Sequence, residues 1–287
     1  MPEQEELPHG GRLPAPGPAR KRTGGQGAGL CRAASAPFSD RKRKGVGMAG
    51  PVVIVGVGAI GSAIARRVAA RGQAVHLIGR DAARIAALAD ELSGTHAVAD
   101  ALDEAALAAA VRQAGPEIGG LAYCVGSIVL RPLRRATSEE FVAAFRLNAV
   151  GAALAVAAAA DALKASPGSG VVLFSTVAVR SGFTNHAVIA AAKGAVEGLT
   201  AALAAELAPS VRVNCIAPSL TQSGIAQPIL GNEAMAKGIA AMHPIPRLGT
   251  GDDAGALAAF LLSDDAGWIT GQVFAVDGGR SNVRVKG

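Results

Sequence analysis

The chain has 287 residues, half of them hydrophobic, with 37 glycines, a size that suits one large core and a tail rather than two equal domains. Its net charge of +6 sits almost wholly in residues 1–47, where nine basic and four acidic residues give +5, against 19 basic and 18 acidic residues in 48–287. A nearly neutral body argues against a nucleic-acid surface. No secretory h-region occurs in the first 47 residues and no later run reaches the roughly 18 uninterrupted apolar residues of a membrane span, so a soluble, cytoplasmic protein with no membrane or nucleic-acid partner is expected.

Residues 1–47, rich in Arg, Lys, Pro and Gly, are expected to form a disordered basic tail, with Arg41-Lys42-Arg43-Lys44 a solvated charge run. Met48 stands directly before Ala49-Gly50-Pro51 and the first strand-like run, which makes it a candidate start of translation that an intact mass would test. Cys31, Cys124 and Cys215 are widely spaced and support neither a disulfide framework nor a metal site. Cys124 and Cys215 lie in apolar runs and are expected to be buried, inert thiols.

From Pro51 onward short Val/Ile/Leu runs alternate with alanine-rich helical stretches. Strands are expected at 52–55, 74–78, 95–99, 121–125, 171–174, 211–216 and 273–276, and helices at 60–71, 82–92, 103–113, 138–165, 187–207 and 252–262. Runs apolar on both faces and separated by helices predict an α/β, single-domain, doubly wound (Rossmann) parallel sheet of about seven strands over 48–287, with helices on both faces. Right-handed crossovers gather the carboxyl ends of the strands on one edge, so a ligand is expected near Gly56, Gly79, Asp100, Gly126, Ser175 and Pro218.

Gly56-Val57-Gly58-Ala59-Ile60-Gly61 follows the first strand and opens a helix. In that setting glycines let backbone approach a pyrophosphate, whose charge the amides of the helix start receive. Gly56, Gly58, Ile60 and Gly61 are therefore candidate cofactor-binding positions, joined at the sheet edge by Gly126 and Pro218. The second strand ends in Leu77-Ile78-Gly79-Arg80, without the acidic residue that would bind a free ribose 2′-hydroxyl. Arg80 is the candidate partner of a 2′-phosphate, favouring NADP(H) over NAD(H); the plainer alternative is a solvated arginine paired with Asp81. Asp100 is a candidate acceptor from an adenine amino group or, alternatively, the N-cap of the helix at 103.

The order of motifs from Val52 to Gly279 resembles the short-chain dehydrogenase/reductase family, and most of all reductases of the 3-oxoacyl carrier-protein type. The resemblance is carried by the glycine turn, Asn148 in the long helix, Ser175-Thr176 ending a strand, Ala190-Ala191-Ala192-Lys193, Val213-Asn214-Cys215-Ile216-Ala217-Pro218, and Gly267-Trp268-Ile269-Thr270-Gly271-Gln272 leading to Asp277-Gly278-Gly279. It implies that Lys193 holds the nicotinamide ribose, that Asn148 supports a water linked to that lysine, and that Thr176 takes the place of the family's serine. Ser175 is the second choice, because it points to the other side if the pleat persists.

Four positions depart from the family pattern. The glycine turn is one residue shorter and begins after Val55 rather than a threonine; Tyr123-Cys124-Val125-Gly126 replaces the usual Asn-Asn-Ala-Gly; Ser219 replaces the glycine after Pro218; and Ile189 stands where the catalytic tyrosine belongs, four residues before Lys193. Isoleucine has no proton to give. Tyr123, the sole tyrosine, lies inside a strand and is expected to be structural. His186 precedes Lys193 by seven residues, the tyrosine-to-lysine spacing of enoyl reductases in the same superfamily, and is the alternative proton donor.

Leu220 to about Gly249, punctuated by Pro228, Gly231, Pro244 and Pro246, is expected to be a mobile lid. Within it Gln222, Ser223, Gln227, Met235 and His243 are expected to line the substrate pocket, with no charged pair to fix a carboxylate or phosphate. The small apolar faces of the helices at 138–165 and 187–207 suit packing between subunits, and the resemblance implies a homodimer or homotetramer. Two functions remain open: an NADP(H)-dependent oxidoreductase acting on a small carbonyl, alcohol or activated alkene, and a nucleotide-binding relative that has lost its chemistry and acts as a sensor or structural subunit.

Overall fold

The computed structural model describes residues 49–284, so the expectations for the basic tail, for Cys31 and for Met48 lie outside the described residues. The apolar runs become strands β1 (Val52–Val55), β2 (Val75–Gly79), β3 (Thr95–Val98), β4 (Gly120–Tyr123), β5 (Gly170–Phe174), β6 (Arg212–Pro218) and β7 (Val273–Val276). They form one sheet in the order β3-β2-β1-β4-β5-β6-β7, with every ladder parallel. The doubly wound sheet expected from the sequence is the observed architecture.

Parallel neighbours need crossovers, and helices supply them. In chain order these are α1 (Ala59–Ala69), α2 (Ala82–Glu91), α3 (Glu104–Arg112), α4 (Ser138–Phe145), α5 (Gly151–Lys164), α6 (Ala178–Ser181), α7 (Ala187–Leu207), α8 (Gln227–Leu230), α9 (Glu233–Ala241) and α10 (Gly251–Leu261). The strand pleat divides the core in two. Val53, Val55, Leu121, Tyr123, Leu173 and Cys215 face the side that also holds Ala152, Ala155 and Val196, whereas Ile54, Ala122, Val172 and Ile216 face Ile64, Val68 and Ala258. Both faces of the central strands are thus covered, which is why their sequences read as unbroken apolar runs.

One boundary expectation is corrected. The helix expected over 138–165 is broken by a π turn at Arg146–Val150, which separates α4 from α5. Asn148 sits on that turn, fully buried, and its Nδ2 donates to the Ala144 carbonyl 2.8 Å away. Single π turns inside helices re-aim side chains. Within 138–164 and 187–207 windows of 18 residues reach mean hydropathies of 1.8 and 1.4, apolar enough and long enough for a bilayer span, but Ala152, Ala155, Ala159 and Val196 turn inward onto the sheet.

The strand order reverses direction at β1 and β4, which opens a crevice beyond their carboxyl ends. Everything described below gathers at that edge.

Candidate functional site

The turn after β1 is shaped by steric necessity. Gly56 has φ +93°, a backbone conformation that L side chains rarely adopt, and a Cβ there would come within 2.9 Å of the Val125 amide nitrogen. A Cβ on Gly61 would overlap the Gly56 carbonyl oxygen, so α1 can pack this close to the turn only with glycine at that position. Gly58 differs: it is the N-cap of α1, carries no capping side chain, and a Cβ on it would meet nothing within 4 Å. Two glycines close the turn and the third leaves open space in front of helix amides that lack intrahelical acceptors. That cradle fits a pyrophosphate.

Further along the edge, Arg80 follows β2 and pairs with Asp100 Oδ2 at 3.6 Å, with its side chain 76% exposed. The pairing of Arg80 with Asp81 is not formed, because Asp81 is the N-cap of α2 and accepts from the Arg84 amide. Asp100 is not the N-cap of α3 either. Asp103 takes that role, while Asp100 accepts from the Leu102 amide. An exposed pair of this length is easily exchanged for a stronger anion.

Beyond β4 the chain makes the tightest cluster of the site. A Cβ on Gly126 would lie 3.0 Å from Asn148 Oδ1 and 3.1 Å from Lys193 Nζ, so a larger residue would press the amide and the ammonium out of the floor they share by a few tenths of an ångström. Asn148 also donates to Ser127 Oγ at 3.1 Å. Lys193 is buried on α7 and donates to the Phe174 carbonyl at 2.8 Å. Burial holds its ammonium down at about 8 from the usual 10.5, opposed weakly by the Cys215 and Cys124 thiols. The same burial pushes the thiols of Cys124 and Cys215 up to about 12. Cys215 is fully buried as expected, but Cys124 is only half-buried and stands on the cavity wall.

A cavity of about 510 Å³ opens beside this cluster. Of the residues singled out from the sequence, it brings together Ile60, Gly126, Ser175, Thr176, His186, Lys193 and Pro218, with Ile189 in the same wall. Asn148 lies buried beneath, and Gly56, Gly58, Gly61, Arg80 and Asp100 lie outside the wall, along the edge formed by the ends of β1 to β3. Ser175 and Thr176 both line the cavity but engage different partners: Ser175 Oγ donates to Glu197 Oε1 at 2.8 Å, while Thr176 Oγ1 accepts from the Ala178 amide at 3.3 Å and keeps its proton available. His186, at the start of α7, directs Nδ1 to the Thr184 carbonyl at 2.8 Å and meets the edge of Phe183 with ring centroids 5.4 Å apart. Tyr123 is structural: its hydroxyl donates to the Leu147 carbonyl at 2.7 Å, and burial raises its pKa well above the ordinary phenol.

Several pocket expectations are revised. Leu220, Ser223 and Met235 line the cavity, but Gln222, Gln227 and His243 do not. His243 is buried and held by Ile239 O and Ser219 Oγ, each at 2.8 Å, because Ser219, replacing the family's glycine, supplies a hydroxyl partner. Sequence reasoning missed Ser127, directly after Gly126, and Phe183 and Arg280, which the tertiary fold brings to the wall. No group of three or more His, Cys, Asp or Glu side chains suited to a metal occurs among the described residues.

Comparisons with known proteins agree with this geometry. A family model described as enoyl-(acyl carrier protein) reductase matches residues 56–281. The chain is 34% identical over 230 residues to a Xanthobacter autotrophicus protein named inactive 2-(S)-hydroxypropyl-CoM dehydrogenase 2, covering 77% of this chain and 100% of the relative. It is 35% identical to 2-(S)-hydroxypropyl-CoM dehydrogenase 3 of the same organism, covering 81% of this chain and 96% of the relative. Its structure superposes with a TM-score of 0.77 and 25% identity on a gluconate 5-dehydrogenase from Burkholderia cenocepacia in complex with NADP and tartrate, over 83% of this chain and 97% of that one. With the glycine cradle, the parallel sheet and the Asn148–Lys193 cluster, these matches make the chain a member of the short-chain dehydrogenase/reductase family of oxidoreductases.

Proposed function

We propose that this protein is an NADP(H)-dependent oxidoreductase that interconverts a small carbonyl compound and its alcohol, or reduces an activated alkene, with an atypical proton donor. The observation that carries the reading is the Gly126 floor, which holds Asn148 and Lys193 together at the mouth of a 510 Å³ cavity. The bound nicotinamide nucleotide would supply or accept the hydride. Gly56, Gly58 and Gly61 would admit its pyrophosphate, and Arg80 would leave Asp100 for the 2′-phosphate, as a planar guanidinium favours a dianion over one distant carboxylate.

Lys193 would donate to the ribose hydroxyls, and its ammonium, with a pKa of about 8, is mostly protonated at neutral pH. The Thr176 hydroxyl would donate to the substrate oxygen. Ile189 offers no proton, so we assign proton transfer to His186: its Nδ1 is engaged by Thr184, which leaves Nε2 to carry the exchangeable proton of the imidazolium. His186→Ala is expected to lower turnover; unchanged turnover removes it from the mechanism.

A second reading is favoured by Ile189 and by the name of the relative called inactive: a nucleotide-binding subunit or sensor without turnover. Calorimetry of the whole chain with NADPH and NADH, followed by a carbonyl panel with wild type and Ile189→Tyr, separates the two. NADPH-selective binding with wild-type turnover supports the enzyme. Nucleotide binding without wild-type turnover favours the subunit, and no nucleotide binding removes both.

We further assign residues 220–249 as a lid, since Leu220, Ile225, Met235 and Ile239 form part of the cavity wall. Amide exchange in this segment should slow when nucleotide and substrate are added. Val142 and Phe145 on α4 are about half exposed, and with the alanine faces of α5 and α7 they form the surface we propose for a homodimer or homotetramer, testable by sedimentation.

A further inference from the structure

The cavity beyond Lys193 is walled by aliphatic and thioether side chains, among them Ile128, Leu130, Ile225, Ile229, Met235 and Ile239, yet one guanidinium stands in that wall. It belongs to Arg280. Gly278 and Gly279 turn the chain sharply after β7, with φ +60° and +88°, and carry Arg280 back to the cavity. Its guanidinium lies over the face of Phe183, 4.7 Å from the ring centroid, and among the described residues Nη2 reaches only Met242 Sδ at 3.7 Å. Stacking engages the flat face and leaves the N–H edges of the fork free.

Among the described residues no carboxylate accepts a hydrogen bond from those edges, although the charge of Asp277 still favours the guanidinium. Asp277 accepts from the Gly279 amide, the Ser281 amide and the Ser281 hydroxyl. Glu197 accepts from Ser175 and Arg180. Of the other basic side chains in the wall, Lys193 donates to Phe174 O beneath the nucleotide end and His186 directs Nδ1 to Thr184 O. A five-donor fork with one weak sulfur acceptor among the described residues, half-buried at the edge of an apolar wall, is complementary to an added acceptor.

We infer that Arg280 reads a carboxylate on the substrate, which is therefore an oxo- or hydroxy-carboxylic acid whose reactive carbon and acid group are separated by an apolar spacer. One guanidinium balances one negative charge, so a carboxylate monoanion fits better than a phosphate dianion. The inference rests on the oxidoreductase reading and names the substrate class of the same site.

The test is calorimetry on the whole chain with 4-oxopentanoate, 6-oxoheptanoate and 8-oxononanoate and their methyl esters, each with and without NADPH. For at least one chain length, wild type should bind the acid at least about tenfold more tightly than its ester, the scale of a charge-assisted bidentate pair. Arg280→Gln should abolish that difference, Arg280→Lys should keep part of it, and all three proteins should melt alike and bind NADPH alike. Equal affinities for acid and ester at every length, no binding of any acid, or a preference that survives Arg280→Gln overturns the assignment. Because the acid and ester are also compared without nucleotide, failure of NADPH binding counts against the proposed NADP(H) dependence, and the acid–ester difference still decides the role of Arg280.

Discussion

At the carboxyl end of β1, one added methyl group at Gly61 would strike the Gly56 carbonyl, and one at Gly126 would press on both Asn148 and Lys193. Across the cavity, by contrast, Ile225, Ile229, Met235 and Ile239 form a wall with no backbone-limited contact of this kind, and the position that should hold a proton donor is a buried isoleucine. At the nucleotide end Gly56 and Gly61 are limited by backbone approach, where only glycine fits. The substrate end is limited by volume and polarity, which many side chains satisfy. Such a chain can alter its chemistry at Ile189 without disturbing the cradle, because the two ends are restrained by different physics.

The sharpest way to break the comparison is Ile189→Tyr. If the nucleotide end is still assembled, a phenol at this position should raise carbonyl reduction by about 10²–10⁴, the usual contribution of a positioned acid. A folded, nucleotide-bound variant that remains inert would show that the substrate end has diverged beyond one residue. Next in size is the contrast between two glycines of the same turn. Gly61→Ala should destabilise the fold by roughly 1–3 kcal/mol through overpacking, seen as a lower melting temperature. Gly58→Ala should melt like wild type, since its Cβ meets open space, yet lose nucleotide affinity because that space is where the pyrophosphate must approach.

Arg80→Gln should weaken NADPH by about tenfold, the scale of one charge-assisted contact, and leave NADH unchanged. Equal losses for both nucleotides would remove Arg80 as the phosphate reader. The smallest effect is electrostatic. Lys193 has a folded pKa of about 8 against 10.5, so the folded state binds fewer protons and stability rises with pH from about 8 upward. Relative to Lys193→Met, wild type should gain up to about 1.4 kcal/mol between pH 8 and 9, the most that one titrating group can supply over one pH unit. In each protein taken alone the Cys124 and Cys215 thiols lower stability above about pH 9, because their pKa values are raised from 9.0 to about 12, but both proteins keep these thiols and the difference between them removes that contribution. Melting curves across pH 7 to 10 on both proteins would measure it.

The seven strands were legible because a sheet covered on both faces leaves apolar runs in the chain, and the glycine turn was legible because strand, glycines and helix start are contiguous. Lys193, Ile189, His186 and Thr176 could be placed on one wall from spacing and motif, since α7 and the end of β5 are local elements. The π turn that aims Asn148 was not visible, because Ser138 to Lys164 is helical in composition throughout and a single slipped hydrogen bond leaves no mark on apolar periodicity. Nor could the chain reveal that Asp103 would take the cap from Asp100, that Ser219 would capture His243, or that Arg280 would come to rest on Phe183, far away in the sequence. Local hydrogen-bonding preference and hydrophobic period are written along the chain, and they determined the fold and the nucleotide cradle. Which polar side chain meets which partner depends on distances set only after the sheet twists and the 220–249 and C-terminal segments pack, so the occupants of the cavity wall were decided by the tertiary structure alone.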